Sequence, residues 1–115
     1  MRRRIDNPES PNQRGARLEL IAAAALMAEG FIVYRNLSSE GPDLIAQKRL
    51  GGTSVLLRIE VKSTRDYWRS VLKTNDVLIV VQPSNLVPRI YTSQRNANAR
   101  WLSLFESIEV IRKKP

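Results

Sequence analysis

Three charged side chains in this chain are spaced so that a β-hairpin would bring them together. Asp43 opens one predicted strand, and Glu60 and Lys62 lie two residues apart near the end of the next. Gly51-Gly52 between these strands is typical of a tight hairpin turn, and positions 43 and 60 are equally far from it. Since alternate residues of a strand point to the same face, we expect two carboxylates and an ammonium group to share one patch.

A shared cation is the simple way to keep both Asp43 and Glu60 ionised, because two neighbouring carboxylates repel each other when both are charged. Oxygen ligands favour a hard cation such as Mg²⁺ or Mn²⁺, and Mg²⁺ keeps several of its waters. Such an ion can polarise a phosphate and turn one of these waters into a nucleophile. Lys62 would then orient that water or stabilise the negative charge that develops on the phosphate.

The composition narrows the chemistry further. The 115-residue chain has a formal net charge of +8 and contains no Cys and no His. These absences exclude thiol nucleophiles, zinc ribbons, Ser-His-Asp triads and nucleases that use His as general base. The excess of Lys and Arg favours a polyanionic partner such as DNA.

The apolar segments are short. The N-terminus lacks the apolar run of a secretory signal, and the longest apolar stretch, 18–27, contains Glu19 and is too short to span a bilayer. We therefore expect no membrane partner and a cytoplasmic location beside the DNA.

The pattern of apolar residues predicts one α/β domain over 10–115 after a flexible basic arm, 1–9. A helix should begin at Ser10 with a capping box and end at Gly30. We expect a central mixed sheet of about five strands flanked by α-helices. The predicted strands are 31–34, 43–48, 53–62, 76–82 and 89–92, followed by a helix over 98–105 and a weak strand or coil over 109–111. Residues 63–75 are predicted to form a loop with at most a helical turn.

Two segments carry a resemblance to a known family. Gly41-Pro42-Asp43-Leu44-Ile45-Ala46, followed by Ile59-Glu60-Val61-Lys62-Ser63-Thr64, resembles the PD-(D/E)xK nuclease superfamily. The closest likeness is to its Holliday-junction-resolvase-like branch, and the resemblance covers roughly residues 13–92. It implies a restriction-endonuclease-like core and a homodimer. The activity it implies is that of a Mg²⁺-dependent DNA endonuclease, and cleavage specific for a DNA structure is among the expected forms of this activity.

The resemblance also implies roles for individual residues. Asp43 and Glu60 would ligate the metal, and the backbone carbonyl of Val61 would supply a further ligand. Lys62 would position the attacking water. Glu19 on the first helix matches an acidic residue that many members place beside the first metal or use for a second.

Basic and polar residues around these groups are predicted to contact nucleic acid. Arg65 and Arg69 flank Tyr67 and Trp68, a combination that suits phosphate contact and base stacking or wedging. The full predicted set is Arg2, Arg3, Arg4, Arg14 and Arg17 near the first helix, and Ser63, Thr64, Arg65, Trp68 and Arg69 after the motif.

Each of these assignments has a purely structural alternative. Asp43 is also an ordinary residue after a proline turn, and Glu60 and Lys62 also suit a solvated strand face. A glutamate such as Glu19 is favoured in the first half of a helix by the dipole. Ser63 and Thr64 also suit a turn cap, and Trp68 also suits packing under a loop.

The function has alternatives as well. One is a nuclease fold that grips DNA or RNA without cutting it. The other is the cleavage subunit of a restriction, homing or repair system whose specificity lies elsewhere.

Overall fold

The computed structural model describes residues 9–38, 40–93 and 100–113.

Helix α1, Pro11–Ala28, begins at the predicted capping box. The Ser10 hydroxyl accepts a hydrogen bond from the Gln13 N–H at 3.1 Å, and the Gln13 side-chain oxygen accepts one from the Ser10 N–H at 2.8 Å. Two free backbone donors of the first turn are thereby satisfied, with Pro11 at the first helical position.

The end of α1 is also the predicted one. Gly30 has φ of +94°, a conformation that residues with a Cβ rarely adopt. Its N–H donates to the Met27 carbonyl at 3.0 Å, while the Phe31 N–H donates to the Leu26 carbonyl at 3.1 Å. This is a Schellman motif.

Within the described part of the chain, no helix combines the length and apolarity that crossing a lipid bilayer requires.

Among the described residues, six strands form a single mixed sheet: β1 Ile32–Arg35, β2 Leu44–Leu50, β3 Thr53–Lys62, β4 Val77–Gln82, β5 Asn85–Ser93 and β6 Glu109–Lys113. They lie in this order across the sheet. The first three strands pair antiparallel, β3 and β4 pair parallel, β4 and β5 antiparallel, and β5 and β6 parallel. A second helix, α2, Trp68–Thr74, connects β3 to β4, and a short 3-10 helix, Arg100–Leu104, precedes β6.

The predicted α/β class and mixed sheet are confirmed, with three corrections. The sheet has six strands because β6 pairs along β5, where a weak strand or coil is predicted. The predicted loop 63–75 contains α2, because parallel neighbours such as β3 and β4 need a crossover connection. Of the predicted helix 98–105, the described part forms only the 3-10 segment. Residues 1–8 of the predicted arm lie outside the described residues.

The sheet is buried on both faces at its centre. On β4 the side chains of Val77, Ile79 and Val81 pack in the larger core with α1, and Leu78 and Val80 pack in a smaller core with α2. All five are at most 4 % exposed. Such continuous apolarity is what a strand covered by helices on both sides requires.

The same alternation fixes the faces of β3. Leu57, Ile59 and Val61 belong to the core beneath α1. Since successive side chains of a strand point to opposite faces, Glu60 and Lys62 lie on the face that carries α2. The burial of the side chains along β3 alternates in the same way.

Gly15→Ala should stabilise the protein. Gly15 lies inside α1, and no heavy atom lies within 4 Å of the position that its Cβ would take. Glycine in a helix interior costs roughly 0.5–1 kcal/mol relative to alanine. We expect the free energy of unfolding to rise by about that amount in urea titrations followed by circular dichroism. The control Ala24→Gly, at an exposed position of the same helix, should lower it; a less stable Gly15→Ala protein would contradict the prediction.

Candidate functional site

The register of the β2–β3 hairpin places Asp43 opposite Glu60. The pairing runs from Leu50 with Thr53 to Leu44 with Ile59. Asp43 immediately precedes Leu44, and Glu60 immediately follows Ile59, so the two acidic residues continue the same ladder. The neighbourhood predicted from the position of the turn is therefore present.

The Asp43 carboxylate is fixed by the backbone of β3. Its Oδ2 accepts a hydrogen bond from the Val61 N–H at 2.8 Å. The Val61 side chain is buried in the core below, so this donor is held in place by the packing of the sheet.

Glu60 is held in an unfavourable environment for a charge. Partial burial, a hydrogen bond with the Asp43 carboxylate and the charge of Asp43 raise the pKa of Glu60 to about 7. Lys62 opposes this shift, and Glu19 adds to it. Glu60 is therefore still partly protonated near neutral pH, where an isolated glutamate would be ionised.

Glu19 approaches the pair from α1. Burial is the main cause that raises its pKa, and the negative charge of Asp43 adds to it. Arg35 on β1 opposes the shift, with its Nε 3.7 Å from Oε1 of Glu19. Within the described residues, no group of three or more acidic side chains stands ready to hold a metal together. The site thus consists of the close pair of Asp43 and Glu60, with Glu19 nearby in an ion pair with Arg35.

Asn36 organises the loop that delivers Asp43. Its N–H donates to the Asp43 carbonyl at 3.1 Å, and its side-chain amide donates to the carbonyls of Pro42 at 2.9 Å and Glu40 at 2.5 Å. Gly41 has φ of +88°, and a Cβ there would lie 3.3 Å from the Asn36 amide nitrogen. Sequence reasoning missed Asn36, although an asparagine before a loop ending in Gly-Pro is a recognisable turn signal.

Lys62 is exposed and lies between two cavities. One, of about 340 Å³, is also lined by Glu60 and by α2 and the residue before it, Tyr67. The other, of about 280 Å³, lies beside the start of α1 and is also lined by Arg14 and Ser63. A phosphate at Lys62 would have room for neighbouring groups on both sides.

The predicted nucleic-acid contacts on α1 are partly engaged by a carboxylate. Arg17 donates to Glu9 at 2.7 and 3.1 Å, and Arg14 lies 3.9 Å from the same carboxylate. The hydrogen bond from Arg17 lowers the pKa of Glu9. Both side chains stay partly exposed. The predicted Arg2, Arg3 and Arg4 lie outside the described residues.

The predicted contacts after the motif fall into two kinds. Thr64 accepts a hydrogen bond from the Asp66 N–H at 3.3 Å and so caps the following turn. Trp68 packs against the smaller core, with the Arg69 guanidinium 5.1 Å from its ring centroid. Arg65 is exposed, and Tyr67 is 62 % exposed. Of the two aromatic residues, the one presented to solvent is therefore Tyr67.

No protein-family model, curated protein or solved structure matches this chain. The resemblance to the PD-(D/E)xK superfamily thus stays a prediction.

Glu60→Gln should raise the melting temperature of the metal-free protein at pH 8 by a few degrees. The pKa of Glu60 is raised from about 4.5 to about 7, so its ionisation destabilises the fold. This cost is absent below pH 4.5, grows between pH 4.5 and 7, and is complete above pH 7. The gain should therefore be small at pH 5, measured by thermal melts in EDTA. The exposed Glu106→Gln serves as control, and an equal gain at both pH values would contradict this interpretation.

Proposed function

We propose that this protein is a divalent-metal-dependent endonuclease that hydrolyses phosphodiester bonds in DNA, with a PD-(D/E)xK site on a restriction-endonuclease-like core. One observation carries the proposal. Asp43 and Glu60 lie opposite each other at the end of a hairpin, close enough that Asp43 helps to raise the pKa of Glu60 to about 7, and Lys62 lies on the same face of β3 as Glu60. A strand face that served only for solubility would have no need for this close pair.

The donor set fits a hard cation. Every candidate ligand is an oxygen, as Mg²⁺ and Mn²⁺ prefer: the carboxylates of Asp43 and Glu60 and the carbonyl of Val61. Glu19 would join them on leaving Arg35, whose exposed ion pair stabilises it only weakly. When bound, the cation would supply positive charge that stabilises both ionised carboxylates, polarises a phosphate and acidifies a water.

Lys62 has the position expected of a residue that contacts the reacting phosphate. It lines both cavities and acts electrostatically on Glu60. Its ammonium would orient the attacking water and stabilise the additional negative charge on the phosphate.

The charge of the chain supports a nucleic-acid substrate. A net charge of +8 favours association with a polyanion through counterion release. Exposed Arg14, Arg65 and Arg69 lie on the elements that surround the site. A homodimer, proposed on the family resemblance alone, would present two such sites to two strands.

A non-catalytic nucleic-acid-binding module is the second candidate. The pairing of Glu19 with Arg35 and the lack of a ready three-carboxylate group among the described residues favour it. The two candidates differ in their response to metal and in cleavage.

Mn²⁺ or Mg²⁺ should raise the melting temperature of the protein, because a ligand that binds only the folded state stabilises it. At a concentration 100 times the Kd the gain is about 2.7 kcal/mol. Asp43→Asn combined with Glu60→Gln should abolish the shift, while Lys62→Ala should retain it. Thermal melts over a titration of each ion provide the measurement, and an undiminished shift in the double variant would place the ion elsewhere.

Cleavage should require the metal, both carboxylates and Lys62. We expect the protein to cut DNA in Mg²⁺ or Mn²⁺ but not in EDTA, tested on supercoiled plasmid, linear duplex and a four-way junction. Lys62→Ala should lower the rate roughly 100- to 1,000-fold, the usual cost of losing one group that stabilises transition-state charge.

Arg49→Ala is the matched control for this assay. It removes one positive charge at the turn end of the same hairpin and should cut at nearly the original rate. Metal binding without cleavage of any substrate would favour the binding module, and cleavage that survives Glu60→Gln would contradict the site assignment.

A further inference from the structure

The larger of the two cavities beside Lys62 extends from the proposed catalytic residues to side chains of α2 that the chemistry proposed above does not use. It lies between β3 and α2, opens to solvent and measures about 340 Å³. This volume falls within the range of ligand pockets, roughly 300–1,000 Å³. Its lining residues are Glu60, Lys62, Tyr67, Ser70, Val71, Thr74 and Asn75, so a group inside it would directly adjoin a phosphate at Lys62.

Tyr67 is the aromatic wall of this cavity, and its exposure is not explained by the packing of the fold. The smaller core is filled by neighbours such as Trp68 and Val71. Tyr67 itself is 62 % exposed, and its side chain does not cap α2. Exposure of the apolar surface of an aromatic ring to water is unfavourable in free energy. A partner that stacks on the ring covers this surface and so binds favourably.

The remaining walls are polar. Ser70 and Thr74 contribute hydroxyl groups, and Asn75 contributes a buried amide that donates to the Val71 carbonyl and to the Thr74 hydroxyl. The Ser70 hydroxyl donates to the Tyr67 carbonyl at 3.3 Å, which ties the aromatic wall to the helix. Since the Asn75 and Ser70 donors are engaged within the fold, the polar groups left for a ligand are the Thr74 hydroxyl and the Ser70 and Asn75 side-chain oxygens. One flat apolar surface beside such groups matches a nucleobase, which has a π-face and a hydrogen-bonding edge.

We propose that this cavity receives an unpaired nucleobase, stacked on Tyr67, next to the phosphate held at Lys62. The inference rests on the proposed function and names its substrate class: DNA that carries unpaired nucleotides, rather than continuous duplex. A base inside a duplex has both faces covered and its edge paired, so entering the cavity would cost unstacking energy that an unpaired base does not pay. Exposed Arg65 and Arg69 on either side of Tyr67 would contact the flanking phosphates.

The test is equilibrium binding in EDTA, where no cleavage occurs. Three DNA probes share one sequence: one has a single unpaired 2-aminopurine, one has an abasic nucleotide at that position, and one is fully paired. The protein should bind the first probe about tenfold or more tightly than the other two, the usual scale for one stacked base. Stacking on Tyr67 should also quench the fluorescence of 2-aminopurine.

Variants separate stacking from general affinity. Tyr67→Ala should lose the preference and the quenching while binding the abasic probe as the original protein does, and Tyr67→Phe should keep both. Tyr34→Ala removes a tyrosine of similar exposure, 51 %, that does not line the cavity, and it should keep both. Equal affinity for the unpaired and abasic probes, or an equal loss on both in Tyr67→Ala, would overturn the inference.

The preference for an unpaired base and the cleavage of DNA are measured separately, so failure of the cavity assignment can be told apart from failure of the proposed nuclease activity. A preference for the unpaired base without cleavage in any metal would support the cavity assignment and contradict the proposed enzyme. Cleavage without the preference would do the reverse. Failure to bind any of the three probes, together with no cleavage in either metal, would overturn both.

Discussion

The close approach of two half-buried carboxylates at the end of the β2–β3 hairpin is the constraint on which the candidate site depends. Asp43 and Glu60 would separate if they were free, because the charge of Asp43 disfavours the ionisation of Glu60. They stay together because the hairpin ladder fixes their register, and a slip by one residue would turn the buried side chains of β3 toward solvent. The apolar core thus stabilises an arrangement that is unfavourable by itself, as expected of residues placed for function.

The opposite end of the same hairpin has well-satisfied polar groups. Lys48 near the end of β2 donates to the carbonyls of Glu29 and Leu104 at 2.6 and 3.1 Å. The Glu29 carboxylate accepts backbone hydrogen bonds from Glu106 and Ser107, the shortest at 2.8 Å. These charge-assisted bonds join the end of α1, β2 and the segment before β6. The hairpin is therefore anchored where it turns, which leaves its other end able to hold the carboxyl pair.

Local patterns allowed much of this structure to be predicted from the sequence. The capping box, the terminal glycine of α1 and the alternation along β3 each depend on neighbouring residues. The Gly51-Gly52 turn then determines the partner of Asp43. Features that depend on distant segments were not predictable in this way. The exposures of Tyr67 and Trp68 depend on the phase of α2 against β4 and β5, and α2 exists because β3 and β4 are parallel neighbours.

Glu19 shows how the two kinds of information combine. Its place on α1 follows from the sequence, but its pairing with Arg35 follows from the packing of α1 across β1. Arg35 stabilises the ionised form of Glu19 while Asp43 and burial disfavour it. In the proposed function, a cation would take over this neutralising role at small cost, because partly exposed ion pairs contribute only about 0–1 kcal/mol. The metal-free protein thereby holds a third carboxylate near the site without leaving its charge unbalanced.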